Sequence, residues 1–153
     1  MTNAIRGLKA KRQGQSFENI FESACLYNGI AVTRIPDSCR RVSHNKLLQV
    51  PSPFDFTISY RGRTAMIDTK TQAGKTYPYS DINPRQVLNL ASHEAHGIPA
   101  GYVIWLREID AVVFITAGYL EKAIGKRGSF QADSPYVKHL GPIATFTPAA
   151  IFS

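Results

Sequence analysis

The stretch PFDFTISYRGRTAMIDTK, residues 53–70, decides the fold. Phe54, Phe56, Ile58 and Tyr60 alternate with Asp55, Thr57 and Ser59, the period-two pattern of a strand with one buried face. Arg61-Gly62 supplies a tight turn, and residues 64–70 read as a second strand, so the two form a hairpin. On the second strand Asp68 and Lys70 share a face, while Ala65, Ile67 and Thr69 point the other way. Asp55 falls on the face of Thr57 and Ser59, away from the aromatic set, and the hairpin carries it toward Asp68. Two carboxylates and an ammonium are therefore expected to converge at one end of a sheet.

Upstream, Phe17, Ile20, Phe21, Ala24 and Cys25 recur at spacings of three and four, which predicts a helix opened by Ser16 and closed by Asn28-Gly29. Glu18 borders this apolar stripe, faces sideways along the core and is placed to complete the site. Residues 30–35 read as a short strand. The loop over 36–53 is long enough to hold a small hairpin and carries Arg40, Arg41 and Lys46. Downstream, 71–82 reads as a polar loop containing Lys75. Asn83-Pro84 then starts a helix through Val87, Leu88, Leu90 and Ala91 that Gly97-Ile98-Pro99 stops. Residues 101–106 and 111–116 are β-prone runs around a turn at 108–110, followed by a short helix over 117–124; the remainder shows no clear period. The order implies an α/β fold, a central mixed β-sheet flanked by helices.

Clustered carboxylates offer hard oxygens to Mg²⁺, which keeps waters and accepts a phosphate oxygen as a further ligand. Such a metal polarises phosphorus and lowers the pKa of a bound water. A nearby lysine orients or deprotonates that water and balances phosphate charge.

The charge balance agrees with a polyanionic partner: 18 Lys and Arg against 11 Asp and Glu, a net +7 on 153 residues. The first 12 residues carry Arg6, Lys9, Lys11 and Arg12 without an acid and read as a flexible basic arm ahead of one domain over 13–153. No run of about 18 apolar residues exists to span a membrane, and no apolar segment follows the basic start, so no secretory signal is expected. Cys25 and Cys39 form no C-x-x-C pair, which argues against zinc; Cys25 reads as a core residue, and a reducing, cytoplasmic setting follows.

In order along the chain, Gly14-Gln15-Ser16-Phe17-Glu18, Pro53-Phe54-Asp55-Phe56, Ile67-Asp68-Thr69-Lys70-Thr71, Ile82-Asn83-Pro84-Arg85-Gln86 and Gly101-Tyr102-Val103-Ile104-Trp105 resemble the RecU-type Holliday-junction resolvases of the PD-(D/E)xK nuclease superfamily. The resemblance spans roughly residues 12–125 and implies a restriction-endonuclease-like fold. It implies metal ligation by Asp55 and Asp68 with help from Glu18, a catalytic role for Lys70, and a place near the site for Gln86. The implied activity is symmetric nicking of four-way DNA junctions by a homodimer with Mg²⁺ or Mn²⁺. Two departures stand out. Asp68 replaces the usual Glu, one methylene longer, and residues 36–51 are shorter than the family's projecting stalk. Archaeal-type junction resolvases share the same skeleton. The rival readings are a restriction- or repair-type nuclease on duplex, ends or flaps, and a non-catalytic DNA-binding module; the presence of Glu18, Asp55, Asp68 and Lys70 together speaks against the last.

Several other signals have plainer readings. Asn83-x-x-Gln86 reads equally well as a capping box. His93, Glu94 and His96 miss the H-E-x-x-H spacing because position 97 is Gly, so solvated histidines are expected. Residues 125–129, Gly-Lys-Arg-Gly-Ser, lack P-loop spacing and read as a basic turn. Tyr77 and Tyr79 either stack on unpaired bases or pack a loop down, with packing favoured. The runs Val103–Leu106 and Val112–Ile115 serve as dimer surfaces only if one face is left uncovered; core sheet is the stronger expectation.

Arg6, Lys9, Lys11, Arg12, Arg40, Arg41 and Lys75 are the expected contacts to the DNA backbone. Deleting residues 1–12 removes four of these cations, so the slope of log affinity against log salt should fall by about 3 to 4. Fluorescence anisotropy across a KCl series measures it, and an unchanged slope would show that the arm touches no phosphate.

Overall fold

The computed structural model describes residues 16–153, so the basic arm over 1–12 lies outside the described residues. Helix α1 covers residues 16–27 and ends as expected, with Gly29 in the left-handed region at φ 72°. Then follow β1 (Ala31–Arg34), β2 (Ser38–Ser43), β3 (Lys46–Val50), β4 (Phe56–Tyr60), β5 (Arg63–Gln72) and β6 (Thr76–Pro78). Helix α2 (Pro84–Glu94), β7 (Ala100–Leu106), β8 (Ala111–Thr116), α3 (Ala117–Ala123), β9 (Ser129–Gln131) and β10 (Lys138–Gly141) complete the order. A six-stranded sheet runs β1-β4-β5-β7-β8-β10. Its β5–β7 pair is parallel and its other pairs antiparallel, the mixed sheet that the element order implies.

The β4–β5 hairpin turns on Arg61 and Gly62, both at positive φ (50° and 78°), the combination a two-residue turn needs to match the strands' twist. The resulting register sets Phe56 opposite Ile67 and Tyr60 opposite Arg63. On one sheet face Phe17, Phe21 and Cys25 of α1 pack against Phe56, Ile58, Ala65, Ile67, Val103, Val112 and Phe114. On the other, Val87 and Leu90 of α2 and Leu120 of α3 cover Tyr102, Ile104, Val113 and Ile115. The α1 stripe at 17, 21 and 25 is fully buried, as an i, i+4, i+8 apolar row on a helix should be. Burial raises the Cys25 thiol to about 12, so it serves packing alone.

Strict alternation fails at one residue. Phe54 packs on the α2 side, opposite Phe56 and Ile58, and lies edge-on to His93 with centroids 6.3 Å apart. Pro53 has no N–H to extend the ladder, and the chain bends over residues 53–55 before β4 begins. Asp55 thus sits just before β4, and its N–H donates to Ile67 O (3.1 Å) while its O accepts from Ile35 N (2.8 Å).

The loop over 36–53 does hold a hairpin, β2–β3, exposed on nearly every residue. The end of the polar loop is more structured than its composition suggests: β6 pairs with β9, burying Tyr77 and Phe130. Val103–Leu106 and Val112–Ile115 are central strands, covered on both faces apart from part of Trp105, so they offer no dimer surface. No helix among the described residues is long and apolar enough to cross a membrane.

Gly101 marks where the sheet tolerates no side chain. It pairs with Ile67 on one side and Thr116 on the other, and a Cβ there would collide with Ile115 O and stand 2.9 Å from Thr116 Cα. Gly101→Ala should destabilise the protein by about 3 kcal/mol, read from urea unfolding. Gly74→Ala, where a Cβ meets nothing within 4 Å, is the control, and equal midpoints for the two variants would contradict this packing.

Candidate active site

The β4–β5 register brings Asp55 and Asp68 together at the end of the hairpin. Asp55 Oδ2 accepts hydrogen bonds from both Thr69 N and Thr69 Oγ1, each at 2.8 Å, so the carboxylate is clamped onto β5. Asp68 is buried at 3% exposure, and Lys70 Nζ stands 3.0 Å from its Oδ2. Burial first, then the charge of Asp55, push the Asp68 carboxyl up from 3.8 to about 7; the Lys70 ammonium opposes them without prevailing. Strongly displaced carboxyls beside a second carboxylate and an ammonium are concentrated at functional sites.

Tyr102 ties this cluster to α2. It pairs with Asp68 across the parallel β5–β7 ladder, and Lys70 Nζ lies 5.0 Å from its ring centroid, within cation–π range. Its hydroxyl donates to Gln86 Oε1 at 2.7 Å and accepts from Asn83 N at 3.3 Å. Burial raises the Tyr102 pKa, so the hydroxyl keeps its proton and remains a donor. The capping box therefore forms only by half. Asn83 Oδ1 accepts from Gln86 N at 3.3 Å, but the Tyr102 hydroxyl takes the place that Gln86 would occupy on Asn83 N. That hydroxyl turns Gln86 toward the Lys70–Asp68 side of the sheet.

Glu18 lies on α1 at the flank of this cluster. Burial and the charge of Asp55 raise its pKa, with Arg34 pulling the other way. Arg34 Nη1 bonds Glu18 Oε2 at 3.2 Å, Arg34 Nε holds Glu22 at 2.6 Å, and the guanidinium rests over Phe56. Among the described residues no three His, Cys, Asp or Glu side chains cluster as an all-protein metal cage. Sequence reasoning missed Thr69, Tyr102 and Arg34. Thr69 and Tyr102 lie inside the quoted motifs and Arg34 lies in none; each acts through a partner at least 14 residues away.

The candidate backbone contacts lie elsewhere. Arg40 and Arg41 are exposed on β2, and Lys75 is exposed between β5 and β6; Arg6, Lys9, Lys11 and Arg12 fall outside the described residues. Tyr77 is buried edge-on to Tyr102, and Tyr79 packs on Phe130, so both hold the 71–82 segment down. His93 is half-buried against Phe54 and His96 is exposed.

No family model matches this chain, and no curated protein matches it in sequence. Among solved structures it is similar to Hjc, a Holliday junction resolvase from the archaeal hyperthermophile Archaeoglobus fulgidus. The TM-score is 0.56 at 20% identity, over 80% of this chain and 91% of that chain. This chain has the fold of that resolvase. The restriction-endonuclease-like arrangement expected from the motif order is thus the one observed.

A raised acid pKa has a defined effect on stability. Ionised Asp68 is better tolerated in the unfolded chain, so the protein loses stability as pH rises from about 4 to about 7. Asp68→Asn removes that loss. In EDTA at pH 8 the variant should gain about 4 kcal/mol, and the gain should vanish as pH falls toward 4. Thermal unfolding across pH measures it; a variant less stable at pH 8 would show that the Lys70 pair outweighs burial.

Proposed function

We propose that this chain is a metal-dependent endodeoxyribonuclease that resolves four-way DNA junctions by paired, symmetric nicks as a homodimer, in the manner of RecU-type resolvases. The observation that carries the reading is the Asp55–Asp68–Lys70 cluster, set at the end of β5 on a fold shared with an archaeal resolvase. A surface ion pair would leave Asp68 in water; here it is buried beside a second carboxylate with one ammonium for company.

The donor set suits Mg²⁺, with Mn²⁺ as a substitute. Mg²⁺ needs only one or two carboxylates when water and phosphate oxygens fill its other positions, so a three-residue cage is not required. Asp55 and Asp68 would hold the ion, and Glu18 adds negative charge at their flank. Bound there, the ion would supply Lewis acidity and an acidified water. Lys70 balances phosphate charge and orients the attacking water, and Gln86, held by Tyr102, positions the strand. Arg40 and Arg41 on the exposed β2–β3 hairpin meet the DNA backbone. A junction has approximate two-fold symmetry, so two sites related by a dyad cut opposite strands equivalently.

Incubation of the protein with Mg²⁺ and a cruciform plasmid tests the reading. Linear product should appear without prior build-up of nicked circles, because both cuts fall within one complex. Asp55→Asn and Asp68→Asn should each abolish cleavage and still bind the junction in EDTA, somewhat more tightly where negative charge is lost. Nicked circles alone, from a monomer that binds junction no better than duplex, would reduce the reading to a general nuclease. Full cleavage by either variant would remove that aspartate from the centre.

A further inference from the structure

A cleft of about 540 Å³ opens between the β3–β4 connection and α2, a volume within the usual range of small-ligand sites. Pro51 and Pro53 form part of one wall, and Asn83, Arg85, Gln86 and Asn89 of α2 form the other. Both walls lead to the catalytic cluster. Pro53 is two residues before Asp55, and Gln86 bonds Tyr102, whose ring carries Lys70. We infer that this cleft is a nucleobase-binding subsite that sets where the strand is cut, an inference that rests on the nuclease reading above.

The lining chemistry selects the base over the backbone. Three carboxamides and one guanidinium face the cleft and no carboxylate does. Carboxamides and guanidinium groups are the side chains that read base edges, because a carboxamide's donor and acceptor match adenine and a guanidinium's paired donors match guanine. Arg85 is the single cation of the lining, so the cleft lacks the clustered positive charge that draws in a phosphate backbone. The prolines add flat apolar surface against which a base or sugar packs.

The hydrogen-bonding inventory points the same way. Tyr102 occupies Gln86 Oε1 and Gln86 N occupies Asn83 Oδ1, which leaves the Nδ2 and Nε2 groups of these amides as donors. Among the described residues Arg85 forms no salt bridge. Asn89 Oδ1 is buried with no partner, and an unmet buried acceptor is costly. Asn89 lines the cleft, so its amide brings an acceptor that is still unused. The backbone of a DNA strand has phosphate and ether oxygens and no donor, whereas adenine, cytosine and guanine carry amino groups. A base next to the scissile phosphate is the part of the substrate that matches.

The test uses the full chain and two readouts. In the first, nick positions are mapped in Mg²⁺ on a four-way junction whose crossover migrates through varied sequence. The wild type should prefer certain positions, and Asn89→Leu should lower the ratio of preferred to disfavoured cutting about tenfold, the usual worth of one bidentate base contact. The ratio is internal to each digest, so overall affinity or protein loss does not alter it. If Asn89→Leu fails to fold, Arg85→Ala at an exposed position carries the same test. In the second, side-chain amide resonances of Asn89 and Gln86 are followed in EDTA as a static junction is added, and both should shift. Uniform cutting by the wild type, or a wild-type pattern from the variant, would overturn the base subsite and leave the nuclease reading standing. A wild type that cuts no DNA with Mg²⁺ or Mn²⁺ would end the nuclease reading. The amide resonances then decide the cleft alone: shifts support base binding there, and unmoved resonances overturn it.

Discussion

The register of the β4–β5 hairpin is the constraint on which the rest of the molecule depends. Two left-handed residues, Arg61 and Gly62, close the turn, and the pairing they impose places Phe56 against Ile67. A slip by one residue would exchange the two faces of β5. Ala65 and Ile67 would leave the α1 core, and Asp68 would be driven among Phe17, Phe21 and Phe56. The apolar cost of that exchange is what enforces the position of two carboxylates that repel one another. Hydrophobic layers on both faces of the sheet thus hold in place a polar cluster in which burial disfavours the ionised form of Asp68.

The cluster is arranged so that each member is restrained by a different part of the fold. Thr69, on β5 itself, clamps Asp55. Lys70 faces Asp68 and rests over Tyr102, which comes from the neighbouring parallel strand. Tyr102 in turn holds Gln86 and the start of α2. Arg34 on β1 holds Glu18 on α1. The hydroxyl of one tyrosine therefore fixes the helix start, the glutamine and, through its ring, the ammonium. Burial beside Asp55 disfavours the ionised form of Asp68, a local cost borne by a scaffold whose sheet is covered on both faces.

Much of this was legible in residues 53–70 and in the helix stripe before them. Alternation identified the hairpin, the Asn83-Pro84 start identified α2, and the i, i+4 row identified α1, because each of these signals is a property of near neighbours. The approach of Asp55 to Asp68 was legible for the same reason: two strands joined by a two-residue turn have little freedom in how they meet. Phe54 was misplaced because Pro53 interrupts the ladder, and alternation counted past that break assigns the wrong face. The short β9 and β10 strands left no period to detect. They are defined by partners far away, Tyr77 for Phe130 and Phe114 for Lys138.

By itself the sequence determined the order of elements, the faces of the paired strands, and the meeting of Asp55, Asp68 and Lys70, since period and turn chemistry act over a few residues. Only the tertiary structure decided that Asp68 is buried, that Gln86 answers to Tyr102 instead of closing its own cap, and that Arg34 holds Glu18. It also opened a cleft of amides beside the cluster. Those outcomes depend on which strand or helix arrives from 14 or more residues away, and no local pattern records the arrival.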